Sequence, residues 1–336
     1  MVMGVLTTNQ ETVSDFIRGK RMPLCKVPAF VRAVEAVAAQ GAGDVSGDGR
    51  GVTQMYLTNQ MYIHYSYLRV IEVGANLGDC VLWASAYART QGLPVSALAY
   101  EPHEPSARRI GWTARVNSLD VTPRSVGIVA EPTNGTVRFF VPDHRTAESG
   151  FQKDPGADGF GYFSFGTLDV PVTTLDKDVV NVWPWTGEKA PVDLLKVNTN
   201  GDEVAVLSSA SDLIARGAVC AVMASVYRLT IQRVVEDVSF EIDLEKVEKI
   251  ASLIDSLDAR WKFGYYRPTQ AEFMHPIGAA PLDASEPRGR WTVLNAATVR
   301  DLRPSDTFLG VGHGVPGCSS RKMMHHLSGL LVDGRS

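Results

Sequence analysis

The stretch Val70–Cys80, VIEVGANLGDC, decides the fold. An apolar run ending at Glu72-Val73 reads as a buried strand, Gly74 and Gly78 bracket a turn, and a helix begins near Asp79. Glycines in such a turn let the backbone approach a ligand, and the first turn of the helix offers unpaired N–H groups to it. Strand, glycine turn and helix in this order open a Rossmann-like sheet, whose ligands bind beyond the carboxyl ends of the strands.

Outward from this stretch the pattern repeats. The apolar runs 68–73, 95–100, 121–129, 136–141, 192–197 and 219–226 read as strands, several of them apolar on both faces as central parallel strands are. Between them, Asp79 to Thr90, Glu104 to Asn117 and Glu203 to Arg216 read as helices, and Leu244 to Leu257 as a further one. RWKFGYY (260–266) reads as an edge strand. The expected fold is an α/β, Rossmann-like three-layer sandwich with a mostly parallel seven-stranded sheet.

The core is expected to occupy 52–266. Residues 1–51 read as an N-terminal helical extension, with helices at Thr12 to Ile17 and Pro28 to Ala39, followed by the Gly/Asp/Ser linker Gly41 to Gly51. Residues 267–336 shift to Pro, Gly, Ser and Asp and read as a mostly irregular C-terminal extension, with one strand-like run at 290–299.

The next strand, VSALAY, ends in Glu101-Pro102. A carboxylate at that tip is placed to accept hydrogen bonds from both ribose hydroxyls of a nucleoside. The glycine spacing is not GxGxxG, since position 76 is Asn, so pyrophosphate binding is disfavoured and a nicotinamide oxidoreductase with it. A nucleoside without phosphates points to S-adenosylmethionine. Its expected contacts are Glu72, Gly74, Asn76, Gly78, Asp79, Glu101 and Pro102.

Composition limits the alternatives. The 336 residues include 45% hydrophobic side chains, enough for a large core, so a wholly disordered chain is excluded. Thirty-three Lys+Arg stand against 37 Asp+Glu, for a net charge of −4 without a basic stripe, so no nucleic-acid partner is expected. No apolar stretch reaches the roughly 18 residues of a transmembrane helix. Cys25, Cys80, Cys220 and Cys318 lie far apart, with no CxxC pair. Reduced thiols are expected, in an intracellular and by default cytoplasmic protein. His313 with Cys318, and the pair His325-His326, match no zinc spacing, so no metal is expected.

VIEVGANLGDC resembles the VIDVGANxG motif of the FkbM-type methyltransferases, a family of the class I S-adenosylmethionine-dependent superfamily. Four further stretches resemble that family's motifs, in its order: AYEPHEPSARRIGWTARVN (99–117), GIVAEPTNGTVRFFVP (127–142), VPVTTLDKDV (170–179) and VDLLKVNTNGDEVAVLSSASDLI (192–214). The resemblance runs from Tyr67 to Val226. It implies a class I methyltransferase fold and methyl transfer from S-adenosylmethionine, O-directed, to a small molecule or glycan.

One departure bears on activity. The family motif KIDVEGAE carries Asp and Glu where this chain has Asn198 and Asn200, while Lys196, Gly201 and Glu203 match. An amide carries neither the negative charge nor the general-base capacity of a carboxylate. Candidate catalytic groups are therefore His103, Glu203 and Asn198, the last able only to orient an acceptor. A first-turn Glu also stabilises a helix electrostatically, and a loop His is often only polar surface. His144, in the long loop after TVRFFVP, is a further acceptor-pocket candidate. The alternative function is a catalytically degenerate methyltransferase-fold protein acting as a structural subunit of a larger assembly. Its partners would bind the two extensions, and Trp183 and Trp185 in NVWPWTGEKAP suggest a further interface.

Overall fold

Alternating strands and helices build an eight-stranded sheet in the computed structural model of the chain. The structure describes residues 68–90, 95–131, 135–142, 149–151, 165–184, 186, 191–225, 244–257, 260–267, 290–295, 298–302, 306–312, 314–315 and 318. The expected N-terminal helices and linker, His144, Trp185, His313, His325 and His326 lie outside them.

In chain order the first elements are β1 (Leu68–Val73), α1 (Asp79–Thr90), β2 (Val95–Tyr100), α2 (Glu104–Val116), β3 (Val121–Arg124) and β4 (Gly127–Ile128). Then come β5 (Thr136–Pro142), β6 (Phe165–Thr173), α3 (Leu175–Val182), β7 (Leu194–Val197), α4 (Glu203–Ser208) and α5 (Ser211–Ala215). The last are β8 (Ala221–Ser225), α6 (Leu244–Ser256), β9 (Lys262–Arg267), β10 (Arg290–Val293) and β11 (Thr307–Val311).

The sheet order is β10-β9-β11-β8-β7-β1-β2-β3. Strands β3, β2, β1, β7 and β8 run parallel, and β11 is antiparallel to both β8 and β9. Ile71, Leu98, Leu194, Leu195 and Val222 are buried from this parallel centre, which is why these strands read as continuous apolar runs. The chain leaves β1 toward β2 on one side and returns through β7 on the other. The gap at their carboxyl ends is the switch point where such sheets hold ligands.

The sheet has one strand more than the seven expected, because residues beyond 266 supply both β10 and β11. Strand β11 lies between β8 and β9, with Phe308, Leu309 and Val311 buried, so this part of the stretch read as an irregular extension is built into the core.

Other expectations are corrected by the local hydrogen bonds. The run 121–129 is two strands: β3 pairs with β2 as far as Arg124, and Gly127–Ile128 pairs instead with Val172–Thr173. The run at 136–141 does not enter the main sheet. As β5 it pairs antiparallel with β6, and β4-β6-β5 form a second, three-stranded sheet. Its exposed Thr136 and Arg138 beside buried Phe139 show the one-sided burial of an antiparallel pair.

The expected helix from Glu203 to Arg216 is broken at Ser209-Ala210. Ser209 accepts the N–H groups of Leu175 and Asp176, and the Asp176 carboxylate accepts those of Asp212 and Leu213, capping α5 from α3. Trp183 is buried in the core rather than presented to a partner.

The cysteine expectation is also overturned. Cys220 and Cys318 form a disulfide with a Cα–Cα distance of 5.3 Å, and Cys80 is disulfide-bonded as well. Sequence separation hid the pair, because Cys318 follows β11, and β11 pairs with β8 directly after Cys220. The ground for expecting a reducing compartment is thereby removed. Among the described residues no helix is long and apolar enough to cross a membrane.

Candidate active site

The turn after β1 is held open by backbone geometry. Gly74 (φ 78°), Asn76 (φ 49°) and Gly78 (φ 73°) all take left-handed conformations. The N–H groups of Gly74 and Ala75 both donate to the Tyr100 carbonyl, which ties the tip of β1 to that of β2. A Cβ at Gly74 would lie 2.0 Å from the Asn198 carbonyl oxygen, so only glycine lets the β1 and β7 tips meet. Gly78 has a different task, since a Cβ there would strike Ile110 of α2 at 2.8 Å. It seats α1 against α2 and does not line the cleft.

Glu101 sits at the tip of β2, 6% exposed. One carboxylate oxygen accepts the N–H of Asn76 at 2.7 Å and the other accepts that of His103 at 2.9 Å. Burial pushes its carboxyl up to about 7 from the ordinary 4.5; the two N–H bonds pull it down and Glu72 repels it. Each oxygen keeps a lone pair for a further donor.

Glu72 lies deeper. Its Oε1 takes the Lys196 ammonium at 2.5 Å and its Oε2 the Val81 N–H at 3.0 Å, both side chains being about 3% exposed. The pair cross-links the parallel strands β1 and β7 beneath the switch point, where Glu72 and Lys196 are register partners.

A cleft opens above these tips. Of the residues expected at the cofactor, Glu72, Gly74, Asn76, Asp79, Glu101 and Pro102 line it. The second sheet and the segments beside it add Ile128, Phe139, Ser149 and Phe151, none of which sequence patterns revealed. The β7–α4 turn adds Asn198, Thr199, Asn200 and Asp202.

The three catalytic candidates fare differently. Glu203 is buried, and its two oxygens accept the N–H groups of Thr199 and Gly201, each at 3.0 Å, so it shapes the turn. His103 does not line the cleft; its Nδ1 meets the Ser106 hydroxyl at 2.8 Å, and burial lowers its pKa. Asn198 is half-buried in the cleft wall. Asn200, at φ 58°, donates from Nδ2 to the Ser149 carbonyl at 3.0 Å, fastening the turn to the segment beside β5.

Asp202 was missed in the sequence. It lines the cleft from the start of α4, and its side chain does not cap that helix. The signal was available, since the matching motif position is Ala. Among the described residues no cluster of three or more His, Cys, Asp or Glu could hold a metal ion.

A family model described as the methyltransferase FkbM domain matches residues 72–261, more than half of the chain. No curated protein matches. Among solved structures, an O-methyltransferase from Bacillus cereus in complex with SAH aligns over 93% of each chain, at 12% identity and TM-score 0.40. A methyltransferase FkbM from Methylobacillus flagellatus aligns over 65% of this chain and 50% of its own, at 13% identity and TM-score 0.30. Likenesses this distant add nothing to the family match.

Proposed function

The chain belongs to the FkbM methyltransferase family, and on that footing we propose that it transfers a methyl group from S-adenosylmethionine to a hydroxyl oxygen of a small molecule or glycan. The observation that carries the reading is the buried Glu101 carboxylate, fixed by two backbone N–H groups with lone pairs to spare in the cleft. A ribose with two vicinal hydroxyls supplies the donors that complete it. Gly74 and Asp79, at the end of β1 and the start of α1, line the same cleft, where the amino-acid part of the cofactor would lie beside the N–H groups of the helix start.

When bound, S-adenosylmethionine supplies an electrophilic methyl on a sulfonium. The chain's own residues align it, exclude water and hold the acceptor in line. Glu101 would orient the ribose, Asn76 would fix Glu101 through its N–H, and the Lys196–Glu72 pair would keep the strand tips in register beneath.

Thermal unfolding of the full chain with S-adenosylhomocysteine tests this. Stabilisation is expected in the wild type and is lost in Glu101→Ala and Gly74→Val. No shift at millimolar ligand overturns the reading.

A second reading, a degenerate fold serving as a structural subunit, is favoured by Asn198 and Asn200, two amides where the family motif carries acids. It predicts a protein purified only within a stoichiometric assembly, with no nucleoside bound.

A further inference from the structure

Resting on the ribose-holding role read for Glu101, we propose that Tyr100, Asp178 and Arg124 are positioning residues. Together they form a network that fixes the tip of β2 so that Glu101 meets the cofactor's ribose. A carboxylate is aimed only as well as the backbone that carries it, and here that backbone is gripped from two sides.

On one side stands Tyr100, the last residue of β2. Its carbonyl accepts the N–H groups of Gly74 and Ala75, each at 3.0 Å. The same turn then supplies the Asn76 N–H that holds one Glu101 oxygen at 2.7 Å. On the other side, the Glu101 N–H donates to the Arg124 carbonyl of β3 at 2.9 Å.

The side chains complete a ring. Tyr100 and Arg124 are register partners on neighbouring parallel strands, so both side chains leave the same face of the sheet. Asp178 of α3 meets both there. Its Oδ2 accepts the Tyr100 hydroxyl at 2.9 Å and Arg124 Nε at 3.0 Å, and its Oδ1 accepts Arg124 Nη2 at 2.7 Å. A two-pronged guanidinium–carboxylate pair fixes direction as well as distance. The ring runs from Arg124 through Asp178 and the Tyr100 hydroxyl to Glu101, and returns through the Glu101 N–H to Arg124.

Tyr100 is wholly buried and Asp178 is almost so. Burial and then the Asp178 charge raise the pKa of the phenol above its ordinary value, so its hydroxyl stays a donor. A buried ion pair adds little net stability over apolar packing, and its best-attested use is to hold one geometry. Tyr100 lines the cleft, whereas Asp178 and Arg124 do not. Those two therefore act on a ligand only through the strand tip, and they couple α3 to the ribose site.

Calorimetric titration of the full chain with S-adenosylhomocysteine and with its 2′-deoxy analogue tests the network. The analogue lacks one of the hydroxyls that Glu101 would accept. The wild type should bind S-adenosylhomocysteine about 10-fold tighter than the analogue, the worth of one hydrogen bond to a charged group. That ratio should fall to near one in Asp178→Ala. It should recover in part in Asp178→Asn, which keeps an acceptor for the Tyr100 hydroxyl. Tyr100→Phe removes the linking hydroxyl alone and spares the Asp178–Arg124 pair, so it should fold and still lower the ratio. A purely structural role would weaken both ligands by one factor and leave the ratio as it was. An unchanged ratio in Tyr100→Phe, or in a folded Asp178→Ala, overturns the proposal. Equal affinity of the two ligands for the wild type overturns the ribose role of Glu101 and the proposal together, while cofactor binding stands. Failure of S-adenosylhomocysteine itself to bind the wild type overturns the methyl-transfer reading.

Discussion

The Lys196 ammonium lies 2.5 Å from Glu72 Oε1, both side chains almost wholly buried between β1 and β7. Glu72 also receives the Val81 N–H, so the carboxylate joins the two strands to the first turn of α1. Removing one partner leaves a buried charge without its counter-charge, whereas removing both leaves none. Lys196→Met is therefore expected to lose about 3–5 kcal/mol of unfolding free energy in urea. The double variant Glu72→Gln with Lys196→Met should regain most of it. Equal losses in the single and double variants would show that the pair acts by packing alone.

The position of Glu101 gives a pH dependence of cofactor binding. Its ionised form accepts ribose hydroxyls, and burial holds the carboxyl at about 7 without a ligand. Below that value the site must first lose a proton, so S-adenosylhomocysteine affinity should fall about 10-fold per pH unit below 7 and level off above it. Glu101→Gln should bind weakly at every pH, with that slope gone. The same shift acts on the free protein with opposite sense. Between pH 4.5 and about 7 the folded state keeps a proton that the unfolded state has released. This residue therefore lowers stability as pH rises across that window, by at most about 1.4 kcal/mol per unit, and adds no further change above it. Unfolding midpoints of wild type and Glu101→Gln across pH 5 to 8 check the sign.

What the sequence disclosed follows from how local each signal is. VIEVGANLGDC and the Glu101 tip are contiguous strand–turn units, and the structure bonds the Gly74 N–H to the Tyr100 carbonyl and the Asn76 N–H to the Glu101 carboxylate. The cleft wall opposite the motif residues was not legible, because Phe139, Ser149 and Phe151 come from β5 and a chain segment bridged to it. Strand β11 was hidden for a similar reason: TFLGV is short, antiparallel and inserted between two strands that precede it. Glu203 matched a motif, yet its carboxylate proved to serve the turn's own N–H groups, a distinction that only geometry makes.

The Cys220–Cys318 disulfide closes a loop across 98 positions of sequence and pins the chain after β11 to the start of β8. A cross-link over so long a loop restricts the unfolded chain strongly, and losing it typically costs about 2–5 kcal/mol. Cys220→Ala with Cys318→Ala is expected to lower the unfolding midpoint accordingly, while S-adenosylhomocysteine binding survives because neither cysteine lines the cleft. Peptide mapping without reductant should recover the two cysteines in one linked fragment. Free thiols at both positions in the purified protein would remove the cross-link from the account.

Gly74 and Gly78 offer the sharpest separation of binding from folding within the opening motif. Both have positive φ, so any side chain is strained at either. At Gly74 the added Cβ meets the backbone carbonyl of Asn198, which cannot move without pulling β7 from β1. At Gly78 it meets the Ile110 side chain, which a smaller residue can relieve. Gly74→Ala should thus abolish S-adenosylhomocysteine binding, with no side-chain substitution nearby able to restore it. Gly78→Ala should lower stability and lose affinity only as far as α1 shifts, with Ile110→Ala, which removes both contacting γ carbons, restoring part of the affinity. Calorimetric affinities and urea midpoints for the three variants decide it. Full binding by Gly74→Ala would mean that the β1 and β7 tips do not meet as closely as this cleft requires.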